Sequence, residues 1–264
     1  MSDSQGEAGE GARAEDEAVQ HPADQRIVEA VLVRDPWAHR RAEPRAFALF
    51  WLIYMAGSFA VALGGAGGLG LVAFDVYRQV GRTMLVLVAI GMGAVWPMVR
   101  LSQEAPPRPW RGMMQDVSVV AGPVIVLCAA QSAPWLANWP WEVALVVAST
   151  LVAWGLAVGA FVACAQVRGW AASAAMAGCI AVCGAGAAAA LMVEGSEGTG
   201  VEVLNLLSAA TAVLEMTGDR SWTGQNASVE AGHWLALVPP GVVFLTCVVW
   251  GLAKRRPDGR EGRA

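Results

Sequence analysis

Charge is what this sequence has least of. Only 15% of its 264 residues are Asp, Glu, Lys or Arg, against about 25% in an average soluble domain. The few charges gather in the two ends and in short links between apolar runs, so the net charge of −4 describes no single surface. The arginines flank apolar stretches instead of forming one basic face, which excludes a nucleic-acid surface. Histidine is nearly absent, with His21, His39 and His233 as its whole complement. No pair of intramembrane histidines can therefore hold a haem. No G-x-x-x-x-G-K-[ST] phosphate loop occurs, so the chain is not by itself a common type of ATPase. A G-x-S-x-G elbow is also missing, and Ser173 and His233 are expected at opposite membrane faces, which leaves no nucleophile beside a base. The chain reads as a non-enzyme that needs no cofactor or metal.

Cysteine is sparse and confined to apolar runs: Cys128, Cys164, Cys179, Cys183 and Cys247. Cys179 and Cys183 share a helix face, but without a nearby His or carboxylate they make a poor metal site and read as small packing residues. Acidic or basic side chains inside the apolar runs are almost wholly missing. Asp75, Asp116 and Glu142 fall at run ends, and Gln131 is the main amide within one. A proton- or sodium-coupled pump would need such groups in the membrane.

What the sequence does have is long apolar stretches; 56% of its residues are hydrophobic and its mean hydropathy is +0.47. Residues 171–193 stand out: seventeen of these 23 are Ala, Gly, Ser or Cys, and none is charged. As a helix this stretch would cover about 35 Å, enough to cross a hydrocarbon core of about 30 Å. Small side chains let helix backbones approach closely in lipid, so 171–193 is expected to be the inner helix of a bundle.

The expected fold is all-α, a polytopic transmembrane bundle of six spans at about 46–74, 83–99, 117–136, 141–167, 171–193 and 234–253. The first is long enough to break in its glycine-rich half, and Gly64 to Gly68 and Gly155 to Gly159 match the small-xxx-small pattern of close contacts. Residues 1–25 have the composition of a disordered acidic tail, retained because they lack the layout of a signal peptide. Residues 26–45 place Ile27, Val28, Val31, Leu32 and Trp37 at helical spacing beside arginines, as an interfacial amphipathic helix would; a solvated basic linker is the alternative. The membrane domain is then 46–253, and 254–264 form a basic tail.

Loop arginines set the orientation. Arg34, Arg40, Arg41 and Arg45 precede the first span, Arg100, Arg108 and Arg111 follow the second, Arg168 follows the fourth, and Lys254, Arg255 and Arg256 follow the last. Both termini are expected in the cytoplasm, with Arg78 and Arg82 in an outer link as exceptions. Trp135, Trp139, Trp141 and Trp234 would mark the outer interface, and Trp51, Trp96, Trp170 and Trp250 the inner one.

Two links carry functional expectations. In residues 100–116, prolines stiffen the chain while Trp110, Met113 and Met114 stand beside Arg108 and Arg111, a mixture common at binding hot spots. The alternative is a rigid turn sitting in headgroups. Residues 201–218 place apolar side chains near helical spacing before the last span, which suggests a re-entrant or interfacial helix.

This layout resembles the permease subunits of ABC-2 type transporters: an amphipathic lead-in, six spans with both ends inside, a cytoplasmic link after the second span, and an outer helical segment before the sixth. The resemblance covers about residues 26–256 and is one of architecture, with a loosely similar segment from Leu207 to Gly218. It implies an export function, a dimer with itself or with a related permease, and contact between a separate ATP-binding subunit and Trp37, Arg100, Glu104, Arg108, Trp110 and Arg111. The sequence departs from the family in having Glu104-Ala-Pro-Pro-Arg-Pro-Trp-Arg where an acidic-basic run is usual. A non-catalytic membrane scaffold is the alternative reading. The bilayer of the cell membrane is the expected surrounding in either case.

Overall fold

The computed structural model describes residues 44–66, 74–103, 105–193, 204–218 and 227–253. Among these the chain is all-helical. The order is α1 (Pro44–Ala66), α2 (Phe74–Ile90), a π turn (Gly91–Val95), α3 (Trp96–Leu101), α4 (Pro109–Ala130), α5 (Trp141–Arg168), α6 (Ala172–Val193), α7 (Ala209–Met216), a 3₁₀ turn (Ala231–Leu237) and α8 (Val238–Ala253). Among the described residues, five helical stretches are long and apolar enough to cross a membrane: Phe47–Gly65, Tyr77–Leu101, Pro109–Ala130, Trp141–Arg168 and Ala231–Gly251. Helix α6, the expected fifth of six spans, contributes a shorter apolar stretch, Ala172–Gly186. The acidic tail, residues 26–43 of the expected amphipathic segment with Trp37, Glu104 and the basic tail lie outside the described residues, while Pro44 and Arg45 already belong to α1.

Helix α5 is the centre. It begins after Pro140, carries Glu142 in its first turn and Arg168 in its last, and so matches both ends of the helix dipole. It stops because Gly169 takes the left-handed conformation at φ 68°. The Gly169 and Trp170 amides then reach back to the Gln166 and Ala165 carbonyls at 3.1 and 3.0 Å, which satisfies the last turn. Between these ends α5 is buried on nearly every side, from Val143 to Ala165. A helix apolar all round belongs inside a bundle. Helices α4, α6, α7 and α8 surround it, together with the π turn.

The inner helix is therefore α5 and not 171–193. On α6 only one side is covered: Ala175, Cys179 and Gly186 are buried, while Ala174, Ala177, Ala181, Gly184 and Ala188 are exposed. Small side chains permit close approach but add little buried area to drive it. The glycine pairs divide the same way. A Cβ on Gly155 would lie 2.7 Å from Met92, and one on Gly159 would lie 2.8 Å from Met113 and 2.9 Å from Trp96, whereas Gly64 has nothing within 4 Å.

Other boundaries shift for local reasons. The first helix is described to Ala66 and the next from Phe74, and Arg78 and Arg82 sit on that second helix and not in a link. The third apolar helix starts at Pro109, well before residue 117, because proline suits a first helical turn that needs no N–H. Residues 204–218 do not form one long helix. Ser208 is extended at φ −135° and ψ 151°, and its side chain caps the eight-residue helix α7 by accepting from the Thr211 amide. Three of the expected interfacial tryptophans, Trp51, Trp96 and Trp139, are buried in the core of the bundle. Trp51 stacks on Tyr54 with ring centres 5.4 Å apart, and the Trp96 ring fills the space left by Gly159. Trp135, Trp141, Trp170, Trp234 and Trp250 are exposed.

Candidate functional site

The antiparallel course of the helices brings residues 100–116, the end of α5 and the end of α8 together at one end of the bundle. Here the chain turns between α3 and α4 through Pro106, Pro107 and Pro109. Arg108, preceding a proline, is held out of the helical region at φ −132° and ψ 82°. The turn is clamped by one side chain. The Arg100 Nε lies 3.0 Å from Asp116 Oδ2, with both side chains mostly buried at 15% and 13% exposure. Its Nη1 donates to Gln103 Oε1 at 3.2 Å. Its Nη2 lies so near Gly112 that a Cβ there would come within 2.7 Å, and any side chain at 112 would push the guanidinium aside. A pair this dry interacts more strongly than one in open water, and it ties the last turn of α3 to the second turn of α4.

The expected docking residues thus separate into two groups. Arg100 and Trp110 face inward: Arg100 makes the clamp, and the half-buried Trp110 ring covers Gly251 of α8, where an added Cβ would lie 2.7 Å from its ring. Arg108 and Arg111 are exposed, and Met114 is exposed beside them. Residue 116, placed by sequence at the edge of a span, is a working part of the elbow; the opposite charge of Arg100 was the available signal. Gly112 and Gly251 carried no comparable signal, because their role depends on where two other side chains arrive.

The α5 and α8 ends are joined nearby. Arg168 Nη2 donates to the Trp250 carbonyl at 3.0 Å, and its guanidinium sits 3.9 Å over the Trp250 ring. Trp170 meets Trp250 edge-on at 5.5 Å and Phe161 at 5.8 Å. Arg100, Arg108, Arg111 and Arg168 therefore share one end of the bundle.

The opposite end treats Arg78 and Arg82 differently. Arg78 Nε donates to the Ala137 carbonyl at 3.0 Å, and Arg82 Nη2 donates to the Leu214 carbonyl at 2.8 Å, near the end of α7. A cation beside the last carbonyls of a helix is stabilising. These are the two residues that break the loop count, and both are bonded to backbone. The segment that Arg82 braces is tied within itself: Asn205 Nδ2 donates to Glu215 Oε2 at 3.0 Å, and Thr217 Oγ1 donates to the Val213 carbonyl at 2.6 Å. The Thr150 hydroxyl meets Met216 Sδ at 4.0 Å, which sets α7 about 14 Å below the start of α5 by helix rise. Ser173 begins α6 at the arginine end, while His233 lies before α8 at the other, where its Nδ1 accepts from the Glu230 amide at 2.9 Å.

No protein-family model, curated protein or solved structure matches this chain.

Proposed function

We propose that the chain is the permease-like membrane subunit of an ATP-driven export system of the ABC-2 type, working with a separate nucleotide-binding subunit. The observation that carries this reading is the clamped elbow at 100–116. Its outer face offers Arg108 and Arg111 at the start of α4, whose first turn holds no acidic residue. Cations at a helix N-terminus cost stability, about 0.3–1 kcal/mol each. Their presence there suits an acidic partner surface better than it suits the helix. Because Arg100 ties α3 to α4, a push on the elbow would act on both spans.

In this reading α6 completes six spans, both termini are cytoplasmic, and the arginine end faces the cytoplasm in keeping with the positive-inside rule. Helix α7, sunk among α2, α5 and α6, is the re-entrant element of the opposite face. A second permease subunit, identical or related, completes the transporter. The absence of fully buried charged side chains among the described residues fits a pathway driven from outside the membrane and an apolar or amphipathic cargo. The same apolar packing along α5, where Thr150 is the one hydroxyl among its buried residues, favours the scaffold reading to this extent: α5 itself offers no polar route.

The test is a mild-detergent pull-down of the tagged protein from its native membrane, for wild type and Arg108→Glu/Arg111→Glu. A stoichiometric ATPase is expected with wild type and a loss of at least tenfold with the variant, at unchanged membrane insertion. Trp110 is left in place because its ring packs on Gly251. Recovery without any nucleotide-binding partner would replace the transporter with the scaffold.

A further inference from the structure

Tyr77–Leu101 is a single span by length, yet it is built as two helices around the π turn Gly91–Val95. The Trp96 amide bonds the Gly91 carbonyl, five residues back instead of four. Pro97 follows, without an N–H, so the next bond of the ladder cannot form. Wide turns and prolines are the usual places where a helix bends.

The halves on either side are held by different neighbours. Helix α2 packs on α1 and α7, while α3 packs on α5 and α6. Tyr54 secures the upper half by donating its hydroxyl to the Leu87 carbonyl at 2.7 Å. Its ring also lies directly against Gly91, in the space a Cβ would need. The lower half is fixed at its tip by the Arg100–Asp116 pair. Between these anchors its contacts are apolar: Trp96 lies on Gly159, and the buried Trp96 N–H has no acceptor. Swinging this segment therefore breaks no side-chain hydrogen bond along its length. The turn itself touches three helices with little bulk, Gly91 at Tyr54, Met92 at Gly155, and Gly93 at Cys183, where a Cβ would lie 2.6 Å from the thiol.

We propose that Gly91–Pro97 is a hinge about which α3 and the elbow swing as one lever against α5. The purpose of the swing, passing a partner's movement into the bundle, rests on the permease reading; the motion does not. The lever from Val95 to Ser102 is about 10 Å long, so a change in bend of about 20° would move its tip by about 4 Å.

The experiment is double electron–electron resonance on the purified full chain in lipid nanodiscs, with non-cysteine spin labels at positions 102 and 167. A pair at 77 and 141 serves as the reference. Wild type is expected to show two populations about 4 Å apart for 102–167 and one for 77–141. Deleting Ala94 returns the turn to α register while leaving both halves facing their neighbours, and should leave one population for 102–167. Pro97→Ala, which restores the missing donor without changing length, should narrow the distribution in the same direction and decides the matter if the deletion does not fold. A wild-type 102–167 distribution as narrow as the reference would overturn the hinge, as would two populations that both variants leave untouched. Failure to capture an ATPase would remove the permease reading while leaving this result standing.

Discussion

Helices α5 and α6 are both rich in small residues, and both hold glycines, yet one is enclosed and the other is open on one side. On α5, Gly155 and Gly159 are surrounded by Met92, Trp96, Met113 and Val117. The large side chains of neighbouring helices fill the room that glycine leaves. On α6, Gly184 has nothing within 4 Å, while Gly186 lies against the backbone of residues 207 and 208. A small residue therefore marks a close contact only where a bulky partner or a chain crossing comes to meet it. Valine, leucine and tryptophan along α5 bury area, and area is what stabilises packing; alanine along α6 buries little.

The largest expected effect lies on α5. Gly159→Leu would drive a side chain into Met113, Trp96 and Val117, with first contacts of 2.8, 2.9 and 3.1 Å already at Cβ. Overpacking of this kind costs about 3 kcal/mol. Thermal unfolding in mild detergent should show a strong loss for Gly159→Leu and almost none for Gly184→Leu. Equal losses at the two positions would break the comparison, because they would mean that α6 is enclosed in the native assembly by something other than this chain.

A smaller effect is expected where α6 does meet a neighbour. Gly186→Ala places a Cβ 2.6 Å from the Ser208 amide nitrogen and 2.7 Å from the Leu207 carbonyl carbon. Backbone gives way less readily than the end of a side chain, so about 2 kcal/mol is expected, concentrated on 204–218. Faster hydrogen exchange at Ala209–Met216, with α5 unchanged, would be the sign of it. Unchanged exchange would show that α7 is held by Arg82 and Thr150 and not by its seat on α6.

Much of the architecture was legible because it follows from apolar length. The start of α5 at Trp141, its end near Arg168 and the helix at 172–193 came directly from uncharged runs bounded by Pro140 and Gly169. The choice of inner helix was not legible. Composition reports what a stretch allows, while burial depends on which partners arrive, and nothing in 171–193 itself states that its neighbours leave one side open. The elbow was legible as a stiff, basic, aromatic link, and Arg108 and Arg111 do stand outward. That Trp110 turns onto Gly251, and that Asp116 closes on Arg100, are matters of helix register and of contacts distant in sequence. Arg78 and Arg82 looked like faults in the charge pattern for the same reason: the carbonyls that receive Arg78 and Arg82 are 59 and 132 residues away.

The smallest prediction has the opposite sign and is the sharpest for α6. Gly184 is helical, exposed and without a neighbour within 4 Å. A glycine inside a helix is less favourable than alanine by about 0.5–1 kcal/mol, because its unfolded chain is freer. If α6 is open on this side, Gly184→Ala should raise stability by about that amount, read as a modest upward shift in the unfolding midpoint. Loss of stability would require a surface pressed against residue 184. In that case glycine would be there for the reason it is at 159, and the contrast between the two helices would describe one subunit and not the assembled protein.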